Sequence, residues 1–273
     1  MPDNHPAAFP AEILSQHTAI LGKTGSGKTS TAKLMVEQIV DQGSRVCILD
    51  PIKSDWRGLA SSADGKAPGL PFSILGGPYG HVPLASSSGA TVGKLVGRGK
   101  LRHTIIDMRK FEPGGLQRFF TSFVPAMLEN IRGVLYVVVE EAHEFAPKER
   151  AGFGGENMAL HFAKQMATAG RSMGVRMIVC TQRVQSLHNA VLSSCDTVIA
   201  HRLTMPADQK PAVEWIESHV GKAKPLKVLL IETVSAEALD WEIPVKPSVN
   251  AKAISMATIL RIDRLSVFWL IKW

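Results

Sequence analysis

The sequence predicts an α/β protein in which a mostly parallel β-sheet carries helices on both of its faces. Strand-like apolar runs alternate with helical patterns along most of the chain, an order that is typical of parallel sheets. Residues 134–139 are six apolar residues, mostly β-branched, which indicates a strand buried on both faces. A glycine-rich stretch, GKTGSGKT at 22–29, separates the first strand from the first helix.

The predicted elements follow from apolar periodicity and from their end signals. Gly43 ends the first helix and Gly174 ends the helix over 157–173. Pro125 predicts a break or kink in the helix over 113–129, and Pro211 makes the first turn of the last helix uncertain. Residues 58–88 are rich in Gly, Pro and Ser and predict an irregular excursion. The predicted strands are 19–21, 45–50, 72–75, 102–107, 134–139, 175–180, 197–200 and 227–232, and the predicted helices are 29–40, 92–96, 113–129, 157–173, 186–192 and 207–219.

Length and composition place the chain among ordinary globular proteins. It has 273 residues, of which 45% are hydrophobic and 20% charged, enough for one large α/β domain or two small ones. The net charge of +7 permits an anionic partner without requiring one. Three cysteines without metal-ligand spacing indicate buried, reduced thiols. With neither a signal peptide nor an apolar run of membrane-spanning length, we expect a cytoplasmic protein with no membrane segment.

The glycine-rich stretch has the full pattern of a phosphate-binding loop, Gly22-x-x-x-x-Gly27-Lys28-Thr29, between a strand and a helix. Its backbone amides would cradle phosphates at the helix N-terminus, Lys28 would reach the β- and γ-phosphates, and the Thr29 hydroxyl would bind Mg²⁺. A purely structural glycine turn is the alternative. The predicted nucleotide-binding residues are Gly22, Lys23, Thr24, Gly25, Ser26, Gly27, Lys28, Thr29 and Ser30, and the predicted ligands are ATP and Mg²⁺.

Two adjacent carboxylates, Glu140 and Glu141, end the buried strand at 134–139. In α/β sheets, ligands bind at the carboxyl ends of the strands. Successive strand residues point to opposite faces, so we expect Glu140 to serve the metal and Glu141 to address the attacking water. A solvated strand end is the alternative. Asp50 also ends a strand at this level, and there a nucleotide-site role and a plain strand-to-loop role are equally compatible with the sequence.

Further polar residues extend the predicted site. Gln182 ends the strand over 175–180 and could hydrogen-bond the attacking water or the γ-phosphate, or simply cap its strand. Arg171 could act in its own site, reach a neighbouring subunit's γ-phosphate as an arginine finger, or complement a helix C-terminus. Arg183 and Arg202 are weaker finger candidates. For nucleic acid, the candidates are the basic residues at 148–150 and the stretch Lys94, Arg98, Lys100 and Arg102, each of which could equally be a solvated surface.

These motifs together resemble the HerA–FtsK superfamily, and most closely its HerA-like branch, over about residues 15–235. The segments that carry the resemblance are the phosphate-binding loop, Asp50-Pro51, the run ending EEAH at 140–143, GRS at 170–172, TQR at 181–183, and Arg202-Leu203 with Asp208. The resemblance implies a RecA-like P-loop NTPase core over 15–248, preceded by a lead-in at 1–14 and followed by a tail of unknown role at 249–273. It also implies Walker B positions for Glu140 and Glu141, a sensor position for Gln182 and a finger position for Arg171.

The resemblance further implies an ATP-hydrolysing translocase that forms a hexameric ring, pumps double-stranded DNA and works with a nuclease or a phage-defence effector. Three features depart from the family: Glu140 stands where an Asp is usual, the usual N-terminal β-barrel has no counterpart, and residues 249–273 match no part of the family pattern. Two alternatives stay open at this point. One is an ATP-dependent switch or scaffold that moves no DNA, and the other is a motor that moves protein or single-stranded DNA.

Overall fold

The computed structural model describes residues 9–53, 55–61, 67–148, 155–219, 227–232, 257–262 and 265–270. Ten strands lie in one sheet: β1 (Thr18–Leu21), β2 (Arg45–Asp50), β3 (Ser73–Gly76), β4 (His103–Asp107), β5 (Leu135–Val139), β6 (Val175–Thr181), β7 (Thr197–His201), β8 (Lys227–Glu232), β9 (Ala257–Ile262) and β10 (Leu265–Leu270). The α-helices of the same part of the chain are α1 (Ala11–Leu14), α2 (Lys28–Asp41), α3 (Gly89–Gly97), α4 (Gly115–Asn130), α5 (Gly155–Thr168), α6 (Asn189–Leu192) and α7 (Pro206–His219).

The sheet order is β3-β4-β2-β5-β6-β1-β7-β8-β10-β9. The strand pairings along the sheet from β3 to β8 are all parallel, whereas β10 pairs antiparallel with both β8 and β9. Strand β1, which leads into the phosphate-binding loop, lies between β6 and β7, and β6 separates it from β5. The predicted α/β class, with a mostly parallel sheet, is confirmed.

Two hydrophobic layers cover the sheet because alternate residues of each strand point to opposite faces. In β5, Leu135, Val137 and Val139 join the layer formed with α3 to α7, whereas Tyr136 and Val138 join the layer formed with α1 and α2. Both faces are therefore covered by helices, which explains why the sequences of the central strands are continuous apolar runs.

Helices α3 and α4 pack with almost no side chains between their backbones. A Cβ added at Gly89, Gly93 or Gly97 would lie 2.3–2.6 Å from a carbonyl oxygen of α4, those of Phe119, Phe123 and Met127 respectively. The three glycines are spaced by four residues and so form one stripe on α3. This stripe lets α4 lie directly against its neighbour.

Four features differ from the sequence-based expectations. Helix α4 is not broken at Pro125, because Phe120, Phe123, Val124, Met127 and Leu128 on both sides of it are buried, and their packing outweighs the roughly 3 kcal/mol that an internal proline costs. Phe9, Ile13 and Leu14 lie in the core rather than in a loose lead-in. Helix α5 ends at Thr168, five residues before the predicted end. Strands β9 and β10 were not predicted, because their hairpin follows no clear turn signal.

In the described residues, no helix combines the length and the apolarity needed to cross a bilayer. Cys47, Cys180 and Cys195 are buried free thiols, as the sequence predicted. Burial raises the pKa of the Cys195 thiol to about 12, so this sulfur stays protonated near neutral pH.

Candidate active site

The carboxyl ends of four neighbouring strands, β2, β5, β6 and β1, bring most of the predicted site residues to one edge of the sheet. Gly22 follows β1, Gln182 follows β6, Glu140 and Glu141 follow β5, and Asp50 is the last residue of β2. This is the edge at which parallel α/β sheets bind their ligands. The order of the strands, rather than proximity in sequence, brings these residues together.

The phosphate-binding loop has the backbone conformation that its glycines predict. Gly25 (φ +76°) and Gly27 (φ +91°) are left-handed, and Gly27 is the N-cap of α2. A Cβ at Gly22 would lie 2.6 Å from the Cβ of His201, so a larger residue does not fit there. The His201 imidazole Nδ1 lies 2.7 Å from the Ser26 carbonyl oxygen, and the imidazole thereby supports the loop from β7. The loop is therefore held in shape by its glycines and by the contact with His201.

Lys28 is buried at the start of α2, and its Nζ donates a hydrogen bond to the carbonyl of Lys23, 3.0 Å away. Burial lowers the pKa of the Lys28 ammonium, while the carboxylates of Glu141 and Glu140 act in the opposite direction. Lys28 therefore lies within electrostatic reach of both glutamates, as a shared phosphate site requires.

Glu140 is only 1% exposed, and neither of its carboxylate oxygens has a hydrogen bond of ordinary geometry within the described residues. Burial and then the neighbouring Glu141 raise the pKa of Glu140, whereas Lys53 and Lys28 lower it. The Trp56 indole also lowers the pKa of Glu140, but less than the lysines do. A buried carboxylate with so few hydrogen bonds is unfavourable unless a cation compensates it. Carboxylate and hydroxyl oxygens are the ligands that Mg²⁺ prefers, so Glu140 and the Thr29 hydroxyl fit this ion. No group of three or more metal-ligating side chains occurs in the part of the chain that the structure describes, and Mg²⁺ bound beside a nucleotide does not need one.

Glu141 is fully buried, lies two residues after the end of β5 at Val139, and adopts a left-handed conformation (φ 44°, ψ 52°). Its Oε1 lies 3.6 Å from the Lys53 Nζ, and its Oε2 lies 3.5 Å from the His143 Nδ1 and accepts a hydrogen bond from the Gln182 backbone N–H at 3.4 Å. The expected strand alternation between Glu140 and Glu141 is therefore wrong. The turn, and not the pleat, sets the direction of the second carboxylate, and both carboxylates interact with Lys28.

Gln182 connects the phosphate-binding loop to Glu141. Its side-chain oxygen accepts a short hydrogen bond from the Thr24 hydroxyl, while its backbone N–H contacts Glu141 as described above. One residue thus contacts both the loop that would hold phosphates and the carboxylate that would address water. This position is compatible with the predicted sensor role, and its side chain is partly exposed toward the site.

Three contributors to the site were not singled out from the sequence: Lys53, His143 and His201. EEAH places His143 two residues after Glu141, but only the 3₁₀ turn at Ala142–Glu144 brings its ring back to that carboxylate. Its Nδ1 also lies 2.9 Å from the Thr181 hydroxyl, and its Nε2 lies 3.3 Å from a Glu144 oxygen. Asp50, for which the sequence left two roles open, is fully buried. Its pKa is raised to about 7, chiefly by burial and then by Glu140 and Asp107.

Arg171 does not join this cluster. It precedes β6, at the opposite edge of the sheet, where its guanidinium pairs with Asp196 beside the start of β7. A role for Arg171 in the site of its own chain is therefore excluded, whereas a role in a neighbouring subunit stays a prediction. The weaker candidates Arg183 and Arg202 are exposed and follow β6 and β7 at the same edge as the phosphate-binding loop.

The predicted nucleic-acid contacts fall in different places. Lys94, Arg98, Lys100 and Arg102 are exposed between the second half of α3 and the start of β4. They therefore lie near the edge opposite the phosphate-binding loop. Lys148 is exposed as well, while residues 149 and 150 lie outside the described part of the chain.

Parts of this sequence are similar to known proteins. The DNA double-strand break repair helicase HerA of Pyrococcus furiosus is 40% identical over 75 residues, which is 28% of this chain and 13% of that protein. A probable DNA double-strand break repair helicase HerA of Methanocaldococcus jannaschii is 36% identical over 128 residues, which is 47% of this chain and 22% of that protein. The chain thus spans less than a quarter of these curated relatives.

Among solved structures, the genome packaging NTPase B204 of Sulfolobus turreted icosahedral virus 2, in complex with ATP-gammaS, matches with a TM-score of 0.49 and 14% identity, over 77% of this chain and 89% of that one. The profile of the family described as helicase HerA, central domain, matches residues 3–157, more than half of the sequence. The chain therefore belongs to the HerA helicase central-domain family.

Proposed function

We propose that this chain is an ATP-hydrolysing motor of the HerA type, with its ATPase core over residues 15–248, which translocates double-stranded DNA as a hexameric ring. The observation that carries the proposal is that Gln182 joins the phosphate-binding loop to the buried Glu141, since its side-chain oxygen accepts a hydrogen bond from the Thr24 hydroxyl and its backbone N–H donates one to the Glu141 Oε2. Family membership supports the assignment to a helicase-type motor. A nuclease or a defence effector is the proposed partner.

Each side chain has a definite task in the proposed reaction. The amides of the phosphate-binding loop and Lys28 bind the β- and γ-phosphates. Thr29 and Glu140 would hold Mg²⁺, which neutralises charge on the phosphates when it is bound. Glu141 accepts a proton from the attacking water, and Gln182 orients that water. The contacts of His143 and of the Gln182 backbone with Glu141 hold its carboxylate in place for this step.

The nucleotide site is tested with two variants of the full-length chain. Lys28→Ala should abolish ATP binding, because it removes the buried ammonium that meets the phosphates. Glu141→Gln should keep ATP binding but lower the hydrolysis rate by about 10²-fold or more, the usual range for the loss of a general base. Fluorescent-nucleotide binding and phosphate release measure the two effects separately. Glu141→Gln hydrolysing ATP at the wild-type rate would contradict the role of Glu141.

The DNA-motor part of the proposal is tested by a different measurement. ATPase activity should rise when linear duplex DNA is added to the assembled protein, and ATP should drive the displacement of a protein roadblock bound to that DNA. Hydrolysis without stimulation or displacement would instead assign the ATP-dependent switch or scaffold. Size measurement with ATP present tests the hexamer.

A further inference from the structure

A second lysine enters the proposed site from outside the phosphate-binding loop. The Nζ of Lys53 lies 3.6 Å from the Oε1 of Glu141, and this oxygen has no hydrogen bond within the described residues. The Lys53 side chain is 30% exposed, whereas that of Glu141 is fully buried. The pair is therefore an ionic contact between a fixed carboxylate and a lysine that remains accessible to solvent.

The turn after β2 places the backbone of Lys53 beside the proposed site. The Oδ1 of the buried Asp50 accepts hydrogen bonds from the backbone N–H groups of Lys53 at 2.8 Å and of Ile52 at 3.3 Å. Pro51, which directly follows Asp50, restricts the backbone of this turn further because its ring fixes φ. This Asx-type turn fixes where the Lys53 side chain begins and leaves its four-carbon stem free to move.

Charges around Lys53 show which ligand would compete for it. Lys53 lowers the pKa of Lys28, and both lysines lower the pKa of Glu140, so the four side chains interact as one group. Two ammonium groups offset two carboxylates in this group. A triphosphate adds several negative charges beside Lys28, and it therefore offers the mobile Lys53 a stronger partner than Glu141.

We propose that Lys53 binds the γ-phosphate and thereby distinguishes a triphosphate from a diphosphate. In the structure its ammonium pairs with Glu141, and on binding of a triphosphate it transfers to the terminal phosphate, which frees Glu141 to accept a proton from water. This inference rests on the proposed function, and it adds a residue that ties the state of the nucleotide to the availability of the general base.

The first test compares triphosphate with diphosphate binding, without hydrolysis. Lys53→Met should weaken binding of a non-hydrolysable ATP analogue about tenfold, as expected for the loss of one charge-assisted contact, and should change ADP binding less than about twofold. Lys53→Arg should keep most of the preference for triphosphate. The matched control is Lys110→Met, an exposed lysine at the same sheet edge after the neighbouring strand β4, which should change neither affinity.

The second test is a double-mutant cycle with Glu141→Gln. In the wild-type background this change frees Lys53 and should tighten binding of the ATP analogue by a few-fold. In the Lys53→Met background the gain should disappear. An equal gain in both backgrounds would mean that removing a negative charge acts directly on the phosphates, and it would overturn the exchange of partners.

The proposed function and the role of Lys53 would be contradicted by different results. A wild-type chain that binds neither nucleotide would overturn the proposed function and this inference together. A wild-type chain that prefers the triphosphate, with an equally selective and equally heat-stable Lys53→Met variant, would overturn only the role of Lys53.

Discussion

Glu141 has the only positive φ among the non-glycine residues that the structure describes, 44°. A left-handed conformation costs a residue with a Cβ about 1–2 kcal/mol, and such strain is found most often at functional sites. Burying the carboxylate adds to the unfavourable free energy. The residue proposed as general base is thus held in its position against local preference.

Replacing Glu141 with Gly should therefore leave the thermal unfolding temperature equal to or above that of the wild type while it abolishes ATP hydrolysis. The relief of left-handed strain, about 1 kcal/mol or more, should match or exceed the entropy cost of glycine. Glu141→Ala is the matched control, because it removes the same carboxylate contacts but keeps a Cβ at the left-handed position, and it should unfold at a lower temperature than Glu141→Gly. Differential scanning calorimetry decides, and a clearly less stable Glu141→Gly would contradict the strain argument.

At this scale the sequence predicted the residues whose motifs are local. The phosphate-binding loop, Glu140, Glu141 and Gln182 all follow strand ends and could be placed by strand order alone. Lys53 and His201 could not, because they reach the site through the turn after β2 and from β7, on opposite sides of β1. His143 required knowledge of the 3₁₀ turn at Ala142–Glu144, which depends on the left-handed Glu141.

Helices α3 and α4 depend on the stripe Gly89, Gly93 and Gly97. We predict that Gly93→Ala lowers the free energy of unfolding by about 1–3 kcal/mol, because its Cβ would lie 2.4 Å from the Phe123 carbonyl oxygen and must push the helices apart. This is opposite in sign to the usual gain for Gly→Ala within a helix. Urea unfolding measures the change.

The control for Gly93→Ala is Thr91→Ala, which lies on the exposed side of the same helix. It should change the free energy of unfolding by no more than about 0.5 kcal/mol. A stabilising Gly93→Ala would show that α3 and α4 can separate without loss.

Strands with strong apolar patterns were predicted to the residue, as for β2 and β8. Helix α4 was expected to break because a local rule about Pro125 was applied without the tertiary packing that overrides it. The hairpin of β9 and β10 pairs with β8, more than twenty residues earlier in the chain, and a long-range pairing of this kind leaves little periodic signal.

Acid should destabilise the whole molecule partly through His17, which is buried before β1. Burial, Arg171 and Arg176 lower its pKa to about 4, from about 6.5 in the unfolded chain, and its Nδ1 accepts a hydrogen bond from the Met177 backbone N–H. The unfolded chain then binds a proton that the folded chain does not. The contribution of His17 to stability is therefore complete above pH 6.5 and is lost as the pH falls from 6.5 to 4.

His17→Asn keeps an acceptor for Met177 but cannot titrate. Between pH 7 and pH 4 the wild type should lose up to about 3 kcal/mol more stability than this variant. Asp50, whose pKa is raised, acts with the opposite sign, but it is present in both proteins and cancels in the comparison. Urea unfolding at several pH values measures the difference, and parallel pH curves for the two proteins would contradict the prediction.

The position of Arg171 has a consequence for how the protein responds to dilution. It lies before the start of the seven-residue strand β6 and Gln182 lies after its end, so roughly 20 Å separates this arginine from the sheet edge of its own chain that holds the proposed ATP site. If Arg171 serves as an arginine finger, each ATP hydrolysis event requires two neighbouring molecules, one that binds the nucleotide and one that supplies the arginine. Specific activity would then fall when the protein is diluted below the concentration at which it assembles, whereas nucleotide affinity of each chain would stay the same.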